Sequence, residues 1–277
     1  MKPPREHDLG LEYDLGTLRR RKVLSLFAGA GLVALAGCSP DSSPSSTPST
    51  STTPSTTPST SSTPSASTVG VDEIPGETAG PYPGDGSNGP NVLTESGIVR
   101  SDITKSFGSA SGTATGVPLT VELTILDADK DTPLTGAAVY VWQCDAKGLY
   151  SLYSEGATNE NYLRGVQATD ADGKVTFTTI FPAAYPGRWP HIHFEVYASL
   201  SDATAAGKIS ATSQLAFPEN VCNAVYGTEG YDGSAENMRR TSLADDNVFG
   251  DDDGVHQLAT VAGDAVQGYT AKLNVGV

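Results

Sequence analysis

His191-Ile192-His193 lies in an apolar run, residues 191–197, with the look of a β-strand. Side chains two apart on a strand share a face and stand roughly 6.6 Å apart, so both imidazoles can converge on one metal ion. Taken alone, such a pair is more often two polar side chains on a solvated face. The loop just upstream, residues 182–190, sets Tyr185 and Arg188 a few positions before the histidines. Residues 139–150 bring a second tyrosine, Tyr150, out of a strand through a turn at Gly148.

The elements that must position these residues read as short strands. Leu119, Val121, Leu123 and Ile125 alternate with Thr120, Glu122 and Thr124, which makes one face apolar. Residues 137–142, 174–180, 191–197, 211–217 and 268–275 read the same way. Turn-forming clusters such as Asp127-Ala128-Asp129-Lys130-Asp131 and Asp170-Ala171-Asp172-Gly173 separate them. Many short strands with little amphipathic helix predict an all-β fold, an antiparallel β-sandwich, with one short helix within residues 218–226.

From residue 78 to 217 the chain resembles the intradiol ring-cleavage dioxygenases, the family of protocatechuate and catechol dioxygenases. The resemblance rests on several pieces in order: Gly80-Pro81-Tyr82, Pro133-Leu134-x-Gly136 leading into Val139-x-Val141-Trp142, Gly148-Leu149-Tyr150, Leu163-Arg164-Gly165 and Asp170-x-x-Gly173. Tyr185-x-x-Arg188-x-x-His191-x-His193 and Gln214-Leu215-x-Phe217 complete it. It implies that Tyr150, Tyr185, His191 and His193 bind Fe(III), for which phenolate oxygens are hard anionic donors and imidazoles neutral ones. It also implies that a catechol and O₂ are the substrates, that catechol displaces Tyr185 from the metal, and that the ring opens to a muconate-type dicarboxylic acid. Arg188 and Gln214 match the positions that steady charge on the ring.

Other readings of the same residues stay open. Arg188 could be a structural ion pair and Gln214, which follows an insertion-like stretch at 198–208, an ordinary strand glutamine. Tyr82, Tyr153 and Tyr162 fit either the substrate mouth or ordinary burial, and Trp142 fits the core. Asp251-Asp252-Asp253-Gly254 lacks the spacing of a calcium loop and reads as a solvated turn, with His256 just after it. A non-catalytic binding sandwich would be expected to have lost some of the four ligands. A copper or zinc protein built on His191, His193 and His256 would leave Tyr150 and Tyr185 without a role.

The spacing from Tyr185 to His191 is shorter than in bacterial protocatechuate enzymes, and the helical dimerisation region of catechol and hydroxyquinol enzymes has no counterpart. The substrate is therefore not inherited with the resemblance, and the expected state is a monomer or weak oligomer. The arrangement is closest to the exported, single-domain branch of the family.

Residues 1–37 read as a signal peptide: Arg19, Arg20, Arg21 and Lys22 precede an apolar run from 23 to 36 that is short for a membrane span. The basic cluster also fits a twin-arginine signal. Leu35-Ala36-Gly37-Cys38 resembles a bacterial lipobox, which implies lipid on Cys38 and a protein held outside the cell membrane. Residues 38–70, nearly all Ser, Thr and Pro, have too little apolar surface to offset their ordering and read as a linker to the domain at 71–277.

The chain has 277 residues with 17 basic and 32 acidic side chains. Residues 1–37 hold 6 of the basic and 4 of the acidic ones, so the remainder carries 11 against 28, a net charge near −17. Nucleic acid is thereby excluded as a partner. Besides Cys38 only Cys144 and Cys222 occur, and in an oxidising compartment they are expected to pair.

Overall fold

The computed structural model describes residues 71–205 and 207–277. The signal segment 1–37, Cys38 and the linker 38–70 lie outside the described residues. Among the described residues no helix is long and apolar enough to cross a membrane.

Two sheets carry the domain. In β1 (Pro118–Asp127), Leu119, Val121, Leu123 and Ile125 are buried and the residues between them are not, the alternation that a half-covered strand requires. With β2 (Thr132–Pro133), β5 (Lys174–Ile180), β8 (Thr260–Asp264) and β9 (Gly268–Gly276) it forms a sheet of order β2-β1-β9-β8, in which β5 also pairs with β1. The second sheet, β4-β3-β6-β7, consists of β3 (Ala138–Trp142), β4 (Arg164–Ala168), β6 (His191–Tyr197) and β7 (Ile209–Ala216). The expected all-β sandwich is present, with one departure from antiparallel order. Strand β9 runs parallel to β1, Leu119 opposite Tyr269 through to Leu126 opposite Gly276. The last strand of the chain thus buries Ala271, Leu273 and Val275 beside the first long one.

Strand β6 is buried at all seven positions. Ile192, Phe194 and Val196 on one face join the apolar cluster that also holds the inward residues of β1. His191, His193, Glu195 and Tyr197 share the other face, which excludes the solvated reading of the histidine pair. Register across the sheet sets Trp142 of β3 and Gln214 of β7 directly opposite His193 on its two sides, so all three point to one face.

Among the described residues there are three short helices: α1 (Leu200–Thr204) in the insertion-like stretch, α2 (Glu219–Val225) where a helix was expected, and α3 (Ser234–Met238). The expected bridge between Cys144 and Cys222 is not formed; both are buried free thiols. Each instead points its S–H at a different backbone carbonyl, Cys144 at Ala183 (3.6 Å) and Cys222 at Phe217 (3.9 Å). Packed into the core, each is accommodated as a small hydrophobe with a weak donor.

Candidate metal centre

The four tyrosine and histidine side chains come together over the buried face of β6. Tyr150 reaches it from the loop after β3. There Asp145 Oδ1 accepts hydrogen bonds from the Lys147 and Leu149 amides, closing the turn that delivers the ring. Tyr185 arrives from the segment before β6, followed by a Pro186-Gly187 turn in which Gly187 has φ +85°. A Pro-Gly pair is what a type II turn asks for, and the reversal brings Arg188 back toward the site.

Three contacts link the four donor atoms. The Tyr150 and Tyr185 hydroxyls lie 3.4 Å apart, the Tyr185 hydroxyl lies 3.0 Å from His191 Nε2, and His191 Nε2 lies 3.1 Å from His193 Nε2. A cation bound to four tetrahedral donors at about 2 Å holds them roughly 3.3 Å apart, close to the spacing seen. His191 Nδ1 donates to the Trp189 carbonyl at 2.5 Å. That bond fixes the tautomer of a neutral ring and leaves the Nε2 lone pair facing the other donors. Behind them the Trp142 indole lies flat against His193, centroids 4.9 Å apart and planes 6° from parallel. Gly80 has φ +70°, and a Cβ there would sit 3.3 Å from His193 Cε1, so any other residue would be strained and would press on the His193 ring.

Burial and neighbouring charge set the protonation of the four groups. Burial, reinforced by the Tyr185 phenol, holds the Tyr150 hydroxyl well above the ordinary tyrosine value, and burial pushes Tyr185 up to about 12. Burial and then the Arg188 charge keep His191 well below the ordinary imidazole value; burial and His191 do so for His193. Two neutral phenols and two neutral imidazoles result. The hard oxygen donors become anionic only if a metal displaces their protons. The residues present therefore fit a hard, highly charged ion such as Fe(III).

Arg188 and Gln214 meet beside this cluster. Arg188 Nη2 donates to Gln214 Oε1 at 2.7 Å, and Gln214 Nε2 donates to the Thr78 carbonyl at 3.0 Å. Arg188 also pairs with the buried carboxylate of Asp246, Nε to Oδ2 at 2.9 Å. Burial disfavours its charge, but Tyr185 and Asp246 outweigh that and keep the guanidinium protonated. Arg188 is thus ion-paired as one reading of it expected, and it also borders the cavity.

A cavity of about 180 Å³ is lined by three of the four donor residues, Tyr150, Tyr185 and His193, and also by Tyr82, Arg188 and Asn247. Pockets for drug-sized ligands begin near ~300 Å³, so this one suits a single ring. Tyr82 stands at its mouth, 4.9 Å from the Tyr150 ring and 5.3 Å from that of Tyr153. Tyr153 is tied to Asn88 and Gly84, and Tyr162 bonds Asp145 away from the cavity. His256 is 3.7 Å from Asp72, and among the described residues no three His, Cys, Asp or Glu side chains cluster as a metal site. A centre made of His191, His193 and His256 is therefore ruled out. Asp246 and Asn247 were not foreseen; they sit in an Asp/Asn-rich segment whose composition is that of any solvated turn.

Comparison with known proteins points the same way. A dioxygenase family model matches residues 88–220, which include all four donors, Arg188 and Gln214. Catechol 1,2-dioxygenase 1 of Acinetobacter lwoffii is 39% identical over 69 residues, 24% of this chain and 22% of that protein. Catechol 1,2-dioxygenase of Candida albicans is 41% identical over 54 residues, 20% and 18% of the two chains. The chain thus aligns with about a fifth of the length of these relatives. An intradiol ring-cleavage dioxygenase from Tetranychus urticae superposes with a TM-score of 0.58 at 27% identity, over 74% of this chain and 94% of that one.

Proposed function

Starting from a chain that belongs to the intradiol ring-cleavage dioxygenase family, we propose that it opens a catechol ring between the two hydroxyl-bearing carbons with O₂. Fe(III) is held by Tyr150, Tyr185, His191 and His193. The observation that carries this reading is the convergence of two phenol oxygens and two imidazole nitrogens through contacts of 3.0 to 3.4 Å beneath a ring-sized cavity. Both atoms of O₂ enter the product: one carbon–carbon bond breaks and each of its carbons becomes a carboxyl, giving a muconate-type diacid.

The chemistry that bound ferric iron supplies is Lewis acidity toward two catecholate oxygens and a route for electrons from ring to O₂. The protein's own groups do the rest. Tyr150, the more deeply buried phenol, holds its position through its backbone amide on Ser154 Oγ at 2.9 Å. Tyr185 would be a second oxygen donor to the iron; it is only half-buried and faces the cavity, where its phenol oxygen, once ionised, would be placed to take up a catechol proton. Arg188, held charged and fixed by Asp246 and Gln214, stabilises negative charge as the ring loses aromaticity. The rings of Tyr82 and Tyr150 wall the cavity, and Trp142 backs His193.

Anaerobic addition of catechol to the iron-loaded protein should shift a visible tyrosinate-to-iron band, and admitting O₂ should consume one equivalent per catechol with formation of the diacid. A protein that takes up iron without such a band, or that cleaves beside the hydroxyl pair, would overturn the reading. The same proposal places the enzyme outside the cytoplasm, tethered by residues 38–70 to lipid on Cys38. Its support is the sequence at 1–38, and metabolic labelling with a fatty acid, lost in Cys38→Ala, tests it.

A further inference from the structure

The two imidazoles of the site differ in what holds them from behind. His191 passes its Nδ1–H to the Trp189 carbonyl, whereas His193 Nδ1 is buried with no hydrogen-bond partner among the described residues. His193 Nε2 is turned to His191 Nε2 and so to the other donors, which assigns the proton of the neutral ring to Nδ1 and leaves a buried donor over. Two positions along β6, on the same face, stands Glu195, wholly buried, and its Oε1 is likewise without a partner among the described residues. Its Oε2 accepts the Tyr197 hydroxyl at 2.6 Å, and no Lys, Arg or His among the described residues pairs with it. The Tyr140 hydroxyl, opposite Glu195 across the sheet, donates to the Pro83 carbonyl instead. Both orphaned atoms are closed to water, so each is satisfied by a protein partner or not at all.

We propose that Glu195 is a positioning residue for the metal centre, its Oε1 accepting the Nδ1–H of His193 when iron is bound, and this rests on the ligand assignment above. A metal-bound histidine nearly always donates its second ring N–H to a carboxylate, a backbone carbonyl or water, because that bond fixes the tautomer and makes the bound nitrogen a better donor. Beside His193 Nδ1 there is no room for water, and the free acceptor is its neighbour on the strand. The reach is short. Same-face positions stand roughly 6.6 Å apart, a span that an imidazole and a glutamate arm close by a turn of the carboxyl group. Trp142 Nε1, opposite His193 and also unpartnered among the described residues, is the competing donor. Metal binding favours the histidine, since charge drawn from Nε2 makes its Nδ1–H the stronger of the two donors. A buried carboxyl group without a cationic partner weakens a fold by itself, and holding a metal ligand gives it a reason to be there.

The test uses the full-length protein loaded with Fe(III), in its native form and as Glu195→Gln, Glu195→Leu and Tyr197→Phe. Release of iron to a chelator is timed and the tyrosinate-to-iron band recorded, neither of which needs turnover. Glu195→Leu should release iron about 10- to 100-fold faster and move the band to longer wavelength, because a poorer His193 donor leaves the metal a stronger acceptor of tyrosinate charge. Glu195→Gln keeps an acceptor of the same shape without the charge and should fall between. If Glu195→Leu does not fold, the isosteric Glu195→Gln decides alone. Tyr197→Phe removes the other bond of the same carboxyl group and controls for packing: it should lower the unfolding temperature of the metal-free chain and leave release and band as in the native protein. Release and band unchanged in the Glu195 variants overturn the role, as does a Tyr197→Phe protein that matches Glu195→Leu, and both results leave the ring-opening reading standing. A native protein that holds no ferric iron with a tyrosinate band overturns the ligand assignment and this inference together, and is seen before any variant is made.

Discussion

Arg188 Nε lies 2.9 Å from Asp246 Oδ2, and both side chains are almost wholly withdrawn from water, at 4% and 0% exposure. The same oxygen accepts the Trp189 amide at 2.6 Å, so the carboxylate locks both the charge and the backbone of the segment that enters β6. Removing one partner of such a pair leaves an uncompensated buried charge, whatever the net worth of the pair itself.

Asp246→Asn should therefore destabilise the protein by about 3 kcal/mol and lower kcat more than it raises KM, because Arg188 loses its anchor while the metal ligands stay. Denaturant unfolding, iron content and steady-state rates on one preparation check this. A variant of native stability and turnover would show that Asp246 positions nothing.

The ligand set makes a sharper division. Tyr150→Phe and His193→Ala should each lose bound iron, since each deletes one of four donors, whereas Arg188→Ala should keep the metal and lose turnover by about 100-fold or more. Iron per chain measured beside the rate separates the two classes. A fully active His193→Ala protein would sink the ligand assignment.

Among the described residues Arg164 has no carboxylate partner, yet its guanidinium is fully buried and donates to the Ser151 hydroxyl and carbonyl, the Pro83 and Tyr82 carbonyls and the Tyr140 hydroxyl. It ties the segment of Gly80 and Tyr82 to the loop of Tyr150. Arg164→Ala should cost about 3 kcal/mol or more by unpairing several buried acceptors, and Arg164→Lys should recover only part, because an ammonium cannot reproduce the planar fork. Thermal unfolding of the two variants against the native chain measures it.

Glu77 gives a pH dependence whose sign is set by its surroundings. Burial first, and then the Asp251 carboxylate, raise it from 4.5 to about 7. A folded value above the unfolded one means that its contribution is complete below about pH 4.5 and is lost as pH rises through 7, where ionisation favours the unfolded chain. Glu77→Gln should accordingly leave stability near native at pH 5 and raise it at pH 8 by about 1 kcal/mol, since the site is partly open to solvent and screened. Unfolding curves at the two pH values, with no gain at pH 8, would remove this assignment.

Local pattern made much of this architecture legible. The strict alternation from Leu119 to Ile125 marks β1, and β5 and β6 begin and end where their apolar runs do. Strand β4, Arg164-Gly165-Val166-Gln167-Ala168, has only one β-branched residue and exists because β3 pairs with it along five positions. Strand β8 is a largely exposed edge with no apolar face to announce it. The Cys144 and Cys222 pairing failed for a related reason: compartment and count favour a bridge, but the packing around each sulfur decides.

The sequence by itself determined that His191 and His193 share a face, because alternation of side chains is a property of any extended backbone and needs no other part of the chain. Its motifs also named Tyr150, Tyr185, Arg188 and Gln214 as companions. What only the tertiary structure decided is that donors from the β3 loop, the 182–190 segment and β6 are linked in a chain of contacts of 3.0 to 3.4 Å. It decided too that, from a turn far along the chain, Asp246 pairs with Arg188 and Asn247 lines the cavity. Spacing along a chain constrains neighbours within an element, whereas contacts between distant segments follow from which surfaces can be buried together, and turn-rich segments carry no periodic signal of where they will land.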